Sequence, residues 1–410
     1  MSETTGRTVG PWQDRVVFSP EGGGVAYRPG EVYVRSSDAE RTEGFLGRER
    51  DAESGSFTRF GTEEEPLVDP VAAVHDLRLD GIAAQLNHVL FSHCCCCGPH
   101  PAAGWGANPF QANPFQANPF QANAHGRHHT ARPARAPRLP SYPGNVVDRS
   151  KPSIVVLDTG LAGDPLRPYA LHGLPADAAH VESPDEDCDG CIDPVAGHGT
   201  FIAGIVERTA PGCELSVLGI LGGYGDADEM TVAQAFEDLI DPDTRTGPDL
   251  VNLSFGGYAL GEMERLAQAV RRLQASGSVV VASAGNDSTC RRTYPAALPG
   301  VVSVGALGPN GPAPFTNYGD WVRACAPGVG VVSTFFNTWE PQPGDGERYA
   351  EWVSWSGTSF AAPAVVGALA RCMREGLTGP QAVAHLVDDP ALLRWPQLGT
   401  VVNSTPCWQT

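Results

Sequence analysis

The chain has 410 residues, 41% of them hydrophobic and 18% charged, which is enough to bury one large core or two domains. Its formal net charge of −19 argues against a nucleic acid or an anionic membrane surface as the main partner. The first residues hold no apolar segment of a secretory signal, and no run is long enough to insert into a membrane. We therefore expect a cytoplasmic protein whose eleven cysteines are mostly free thiols.

The N-terminal region, residues 1–97, predicts a small and weakly defined domain. The stretch "GEVYVR" at 30–35 is strand-like, and the apolar positions of 66–92 fit one or two amphipathic helical segments. Four adjacent cysteines, Cys94 to Cys97, close the region. Zinc ligands usually come as Cys-x-x-Cys pairs, so a metal site is disfavoured there, and lipidation, redox linkage or no role stay open.

Residues 98–147 differ from both of their neighbours in composition. They contain three copies of "NPFQA", which begin at Asn108, Asn113 and Asn118. A proline in every unit forbids a continuous helix and disfavours a central strand. The segment has four arginines and no acidic residue, so we predict a disordered, locally basic linker. It is either a plain spacer or an arm that lies across the acidic domain that follows.

Residues 148–410 alternate apolar runs with helix-like stretches. Continuous apolar runs of this kind suit strands that are buried on both faces. They occur at 153–158, 214–221, 248–257, 278–286 and 301–307. Amphipathic stretches lie between them, for example "MTVAQAFEDLI" at 230–240. The alternation predicts an α/β fold, a doubly wound and mostly parallel sheet with helices on both faces, whose chemistry gathers beyond the carboxyl ends of the strands.

Polar side chains stand at such places in four short motifs. Asp158 ends a buried strand in "VLDTG", His198 begins a helix in "GHGTFIAGIV", and Ser359 begins an Ala-rich helix in "SGTSFAAPAVVGALA". Nucleophilic acyl transfer requires these three residue types, since serine needs a base and the base needs a carboxylate to fix its tautomer. Asn286 in "SAGN" offers a side-chain N–H for an oxyanion, beside the free amides at the start of the Ser359 helix.

The motifs "DTG", "GHGT", "SFGG", "AGN" and "GTSFAAP", in this order, resemble those of the subtilisin-like (S8) serine peptidases over about residues 152–375. The resemblance implies an endopeptidase that hydrolyses peptide bonds through Asp158, His198 and Ser359, with an acyl-enzyme intermediate and Asn286 as oxyanion donor. By the same resemblance, catalysis requires no cofactor. Proteins or peptides would be the substrates.

By the same resemblance, Ser254, Phe255, Gly256 and Gly257 line the primary specificity pocket and offer one edge to an extended peptide. The segment 221–225 offers the other edge. Asp287 would either bias the pocket toward basic residues or be a solvated loop acid.

The family also explains the N-terminal region, since many members carry a propeptide that assists folding and inhibits the site. Residues 1–97 are then a propeptide-like domain that interacts with the active-site cleft of its own chain. Arginines of the linker are candidate processing sites, namely Arg127, Arg132, Arg135 and Arg138.

An acidic loop precedes His198. Asp185, Asp187 and Asp189 alternate before Gly190, with Asp193 further on, as in the first half of a calcium loop. Ala196 stands where a bidentate glutamate is usual, so the ligand set is incomplete. A structural calcium ion remains an alternative to a plain acidic loop, whereas zinc is disfavoured because Cys188 and Cys191 lack a second ligand pair nearby.

Two other functions compete with the peptidase. The domain could act as a binding or scaffold protein through its N-terminal region and repeats. An α/β-hydrolase esterase is disfavoured, since no Gly-x-Ser-x-Gly turn occurs and the order of the catalytic residues differs.

Overall fold

The structure is a computed structural model that describes residues 16–18, 25–62, 65–92, 131–135, 151–174, 181–186, 192–261, 263–337 and 349–402. The chain divides into two compact units. The first comprises Met1–Val89 with Ala259–Met263, and the second comprises Leu90–Tyr258 with Glu264–Thr410. The first boundary thus falls after Val89, earlier than the boundary at 97 expected from the sequence. No helix among the described residues is long and apolar enough to cross a membrane.

The first unit is an antiparallel sheet with two helices. The strands are β1 (Val17–Phe18), β2 (Ala26–Arg35), β3 (Ala52–Ser54), β4 (Phe57–Phe60) and β5 (Ala84–Ser92), of which β5 continues into the second unit. Their order in the sheet is β5–β2–β4–β3, with β1 paired to β2. The helices are α1 (Ala39–Leu46) and α2 (Pro70–Leu79).

The helical prediction for residues 66–92 is half wrong. The strand predicted at 30–35 lies within β2, and the first part of 66–92 is α2, whose N-cap Asp69 accepts the amide N–H of Ala72 at 2.9 Å. The helix ends before Gly81, which has a φ of 78° that favours glycine. The rest is β5, buried along its whole length. A run buried on both faces has no strand alternation, so periodicity alone did not separate it from a helix.

A long parallel sheet forms the frame of the second unit. Its strands are β7 (Ser153–Asp158), β10 (Glu214–Gly219), β12 (Leu250–Leu253), β14 (Val279–Ser283), β15 (Val302–Gly308), β17 (Ala324–Pro327), β20 (Arg394–Trp395) and β21 (Gly399–Val401). Their order is β10–β7–β12–β14–β15–β17–β21, with β20 antiparallel at the edge. The predicted apolar runs are therefore strands of one sheet.

Helices connect these strands. They are α3 (His198–Thr209), α4 (Glu229–Asp238), α5 (Glu264–Ala275), α6 (Thr358–Arg374) and α7 (Gly379–Val383), which continues as a π-helical turn, Ala384–Asp388. The crossover through α3 leads from β7 to one neighbour, and the crossover through α5 leads from β12 in the opposite direction along the sheet. Right-handed crossovers in opposite directions lie on opposite faces, so the predicted doubly wound α/β fold is confirmed.

Short strands complete the second unit. They are β6 (Arg132–Pro133), β8 (Leu161–Ala162), β9 (Val181–Glu182), β11 (Asp226–Asp228), β13 (Phe255–Gly256), β16 (Gly311–Pro312), β18 (Val331–Thr334) and β19 (Trp352–Trp355). β8 pairs with β9 in parallel, and β16 pairs with β15. β18, β19 and β6 form a separate antiparallel sheet.

Part of the predicted disordered linker is ordered. Residues 131–135 form β6 and its flanks, and β6 pairs with β19. Ala131 is fully buried in the main core, and its carbonyl accepts the hydroxyl of Tyr349 at 3.3 Å. Backbone pairing and one small apolar side chain hold this segment, features that linker composition does not reveal. The NPFQA repeats and Cys94–Cys97 lie outside the described residues.

We expect Ala131→Asp to lower the free energy of unfolding by about 1–3 kcal/mol, because a carboxylate would replace a fully buried methyl group. Arg135→Asp is the matched control, because Arg135 is exposed on the same segment and its change should stay within about 0.5 kcal/mol. Urea unfolding of both variants measures the difference. Equal stabilities would show that residues 131–135 contribute nothing to the core.

Candidate active site

Asp158 and His198 form one buried pair. Asp158 is the last residue of β7 and His198 the first of α3, and both side chains are fully buried. Asp158 Oδ1 lies 2.6 Å from His198 Nδ1 and also accepts the amide N–H of Thr159 at 2.9 Å. An ionised carboxylate is an acceptor only, so Nδ1 carries the proton and Nε2 is left as the basic nitrogen.

Aromatic rings enclose the imidazole. The ring of Trp355 stands edge-on to it at 5.6 Å between centroids and 89° between planes. The ring of Phe360 lies 5.5 Å away. These contacts restrict the ring of His198 and exclude water from it, which strengthens its bond to Asp158.

Ser359 lies in the same site. It is the second residue of α6, and the ring of its neighbour Phe360 contacts His198. Its Oγ donates to the carbonyl of Ser254 at 2.9 Å, and Ser254 Oγ donates back to the carbonyl of Ser359 at 2.8 Å. His198 Nε2 has no hydrogen-bond partner among the described residues. The Ser359 hydroxyl must therefore turn from Ser254 to reach the imidazole.

Asn286 is oriented by Thr358. Its Oδ1 accepts the amide N–H of Thr358 at 3.0 Å and the Thr358 hydroxyl at 2.9 Å. The same hydroxyl accepts the amide N–H of Gly285 at 3.1 Å. Two donors fix which end of the Asn286 amide is oxygen, and they tie that residue to the start of the helix that carries Ser359.

The glycines on both sides of His198 allow close packing around it. A Cβ atom at Gly199 would lie 2.2 Å from the carbonyl oxygen of Gly160. Gly197 has a φ of 83°, and a Cβ there would lie 2.0 Å from the ring of Phe335. A larger residue at Gly199 would separate the two loops, and a larger residue at Gly197 would displace Phe335.

A strand of this chain runs along the predicted peptide-binding edges. β13 (Phe255–Gly256) pairs antiparallel with residues 91–92, with Phe255 opposite Ser92. On the other side, the amide N–H of Ser92 donates to the carbonyl of Gly225 at 2.8 Å. Both edges thus bind extended backbone from the last residues of β5, which belong to the second unit.

The remaining predicted pocket residues have other partners. Gly257 pairs with Tyr294, with N···O distances of 2.9 and 2.8 Å. Asp287 Oδ2 accepts the Tyr258 hydroxyl at 2.6 Å, and the guanidinium of Arg291 lies 4.3 Å above the Tyr258 ring. Burial raises the pKa of Tyr258 well above its usual value, with a further contribution from Asp287. Asp287 is therefore part of a polar cluster and not a solvated loop acid.

Glu182 is a second buried carboxyl group in the region. Its Oε1 accepts the Thr159 hydroxyl at 2.5 Å and the amide N–H of Gly197 at 2.6 Å, and its Oε2 accepts the Thr200 hydroxyl at 2.9 Å. Burial raises the pKa of Glu182 to about 8, and the charge of Asp158 adds to this, whereas the three hydrogen bonds oppose it.

The predicted calcium loop is only partly described. Asp187, Asp189 and both of its cysteines lie outside the described residues. Asp193 Oδ2 accepts the amide N–H of Glu186 at 2.7 Å. No group of three or more metal-binding side chains occurs within the described part of the chain, so the calcium ion stays a prediction.

Thr358 and Glu182 were not identified from the sequence. Thr358 lies within "GTSFAAP", so the motif that pointed to Ser359 contained it, and only its contacts reveal its role. Glu182 precedes His198 by a loop of irregular sequence, and no spacing rule joins it to Thr159 or Thr200. It is recognisable only once its burial and its three hydrogen bonds are known.

The "Subtilase family" model matches residues 149–388. A thermostable alkaline protease of Halalkalibacterium halodurans is 32% identical over 53% of this chain and 55% of its own length. Subtilisin DY of Bacillus licheniformis is 33% identical over 52% of this chain and 74% of its own length. The crystal structure of a cold-adapted subtilisin-like serine proteinase is 25% identical, covers 62% of this chain and 88% of that one, and has a TM-score of 0.47.

The raised pKa of Glu182 predicts a loss of stability on raising the pH. In the unfolded chain this carboxyl ionises near 4.5, and in the folded chain near 8, so its contribution is complete below pH 4.5 and is lost as the pH rises through 8. We expect Glu182→Gln to flatten the decline in unfolding free energy between about pH 5 and 8. Urea unfolding of both proteins, each carrying Ser359→Ala, measures it. Parallel curves would contradict the prediction.

Proposed function

We propose that this chain, which belongs to the subtilase family, is a serine endopeptidase. The observation that carries the proposal is the 2.6 Å contact between buried Asp158 and His198, with Ser359 at the adjacent helix N-terminus. A buried carboxylate behind a histidine, beside a serine at a helix start, suits nucleophilic attack on a carbonyl.

The proposed reaction begins when the Ser359 hydroxyl turns from the Ser254 carbonyl to His198. Nε2 takes the hydroxyl proton as Oγ bonds to the substrate carbonyl carbon, and Asp158 stabilises the imidazolium. The imidazolium then gives its proton to the leaving amine as the C–N bond breaks, which leaves an acyl-enzyme. Water hydrolyses that ester by the same route, with His198 as base and Ser359 as leaving group.

The oxyanion would be stabilised by two kinds of donor. The Asn286 amide is held through its oxygen by Thr358, so its NH₂ end is the end that would donate to the oxyanion. The backbone amide of Ser359 lies in the first turn of α6, at the positive end of the helix dipole, whereas those of Thr358 and Phe360 donate to Asn286 Oδ1 and to the Gly357 carbonyl. Such preorganised donors, fixed before the reaction, supply a large share of the rate enhancement of acyl transfer.

We propose that substrates bind as extended peptides between Gly225 and β13, the position in which residues 91–92 lie. The main chain makes these contacts, so they place few demands on substrate sequence. Asp287 would not bias the pocket toward basic residues, because its carboxylate already accepts a hydrogen bond from the Tyr258 hydroxyl.

The same geometry supports self-interaction of the N-terminal region with the cleft. Residues 91–92 use the main-chain groups that a peptide substrate would use, so the two compete. The segment would therefore inhibit the site until it is cleaved or released. The scaffold alternative is less favoured, because the buried pair of Asp158 and His198 has no use in it. The cytoplasmic location and the structural calcium ion predicted from the sequence stay predictions.

A fluorophosphonate probe should label the wild-type protein covalently, and Ser359→Ala should abolish the labelling, because only an activated hydroxyl attacks the phosphorus. Ser303→Ala is the matched control. Ser303 is as buried as Ser359, but its hydroxyl donates to the carbonyl of Trp321, with an O···O distance of 2.5 Å, and is not paired with a residue of this site. Gel fluorescence and intact mass measure the labelling. A folded wild-type protein that takes no label, either intact or after release of the segment that contains residues 91–92, would overturn the peptidase proposal.

We expect wild-type protein to shorten on storage at neutral pH, whereas Ser359→Ala keeps its full length, because residues 91–92 lie along the edge on which we propose that a peptide substrate binds. Intact mass and the new N-terminus identify the bond cleaved. An active protein that stays at full length would show that self-processing does not occur.

A further inference from the structure

Glu182 holds the loops that carry Asp158 and His198. On one side its carboxylate accepts the hydroxyl of Thr159, whose backbone amide donates to Asp158 Oδ1. On the other side it accepts the amide of Gly197, the residue before His198. One buried carboxyl group therefore bonds to a neighbour of each residue in the 2.6 Å pair.

The threonines that bind Glu182 are themselves fixed by backbone donors. Thr159 Oγ1 accepts the amide N–H of Gly199 at 2.9 Å, and Thr200 Oγ1 accepts that of Ala162 at 2.8 Å. Each hydroxyl thus accepts from the backbone and donates to the carboxylate. The network joins the end of β7, β8 and the first turn of α3 through three side chains.

We propose that Glu182 is a positioning residue for the peptide hydrolysis proposed above. It keeps Asp158 and His198 at hydrogen-bonding distance and adds a second carboxylate behind the imidazolium. It touches neither the substrate edges nor Ser359, so its effect passes through Asp158 and His198. The inference rests on the proposed function for its effect on rate, and on the contacts of Glu182 for its effect on geometry.

The charge of Glu182 matters because Thr159 lies between two carboxyl groups. Thr159 Oγ1 is 2.5 Å from Glu182 Oε1 and 3.4 Å from Asp158 Oδ1. When Glu182 is ionised, the hydroxyl donates to it. When Glu182 is protonated, it can donate to Thr159 Oγ1, and the hydroxyl turns to Asp158.

Within the described part of the chain, the charged group that acts on Glu182 is Asp158 at the end of β7. The neighbouring strand β8 contributes Leu161 and Ala162, which are apolar. The pKa of Glu182 is raised by its burial to about 8, so its charge appears over about pH 7–9. A second negative charge near an imidazolium stabilises the transition state, so kcat should rise over that range.

The test compares Glu182→Gln with wild type on an internally quenched peptide that wild type cleaves. We expect Glu182→Gln to lower kcat at pH 9 by about tenfold, to leave KM unchanged and to abolish the rise between about pH 7 and 9. Glu182→Ala, which also removes the hydrogen bonds, should lower kcat by about a hundredfold. A merely structural role would lower the melting temperature without changing the pH profile.

Glu229→Gln is the matched control, because Glu229 is also buried and accepts the backbone amide of Leu266 at 3.1 Å. It should leave kcat and its pH profile unchanged. A Glu182→Gln protein with wild-type kcat and profile, or a Glu229→Gln protein with the same defect, would overturn the inference.

A second measurement does not depend on turnover. In Ser359→Ala protein, the ¹⁵N shifts of His198 should show an inflection near pH 8 that Glu182→Gln removes, because the charge of Glu182 changes there. If Glu182→Gln left the pH dependence of the His198 ¹⁵N shifts unchanged, the inference would be overturned even if the variants had a lowered kcat. A wild-type chain that cleaves no peptide would overturn the proposed function. The pH dependence of the His198 ¹⁵N shifts would then test the role of Glu182 by itself.

Discussion

The hydrogen bond between Asp158 and His198 is the constraint on which the active site depends. Both side chains are fully buried, and an unpaired buried polar group costs about 1–3 kcal/mol or more, so each residue requires the other. A 2.6 Å bond between the end of a strand and the start of a helix demands a close approach of two loops. Gly199 permits that approach, because it has no Cβ to meet the Gly160 carbonyl, and Glu182 fixes it.

The rest of the site is arranged around that bond by the parallel sheet. β7, β12 and β14 end at the same edge, so Asp158, Ser254 and Asn286 follow neighbouring strands. The helix that begins at Thr358 comes to this edge, and its first residues bond to Ser254 and Asn286. Sheet order thus brings together residues that are far apart in the sequence, as expected at the carboxyl edge of a doubly wound sheet.

The sequence predicted the parts of the structure that depend on local pattern. The buried strands and the helices predicted to begin at His198 and Ser359 follow from apolar runs and motif chemistry, and the second of these helices begins one residue earlier, at Thr358. Features that depend on tertiary burial were missed, since β5 reads like a helix when both of its faces are buried. The ordered residues 131–135 and the role of Glu182 depend on what packs over them, which no spacing rule reports.

The most direct test of the account is the proton shared by Asp158 and His198. Proton NMR of Ser359→Ala protein should show a strongly downfield resonance from Nδ1–H, because the bond is short, buried and charge-assisted. Asp158→Asn in the same background should remove it, since the carboxylate acceptor is lost. A folded protein without that resonance, or one that keeps it after Asp158→Asn, would contradict the claim that this pair organises the site.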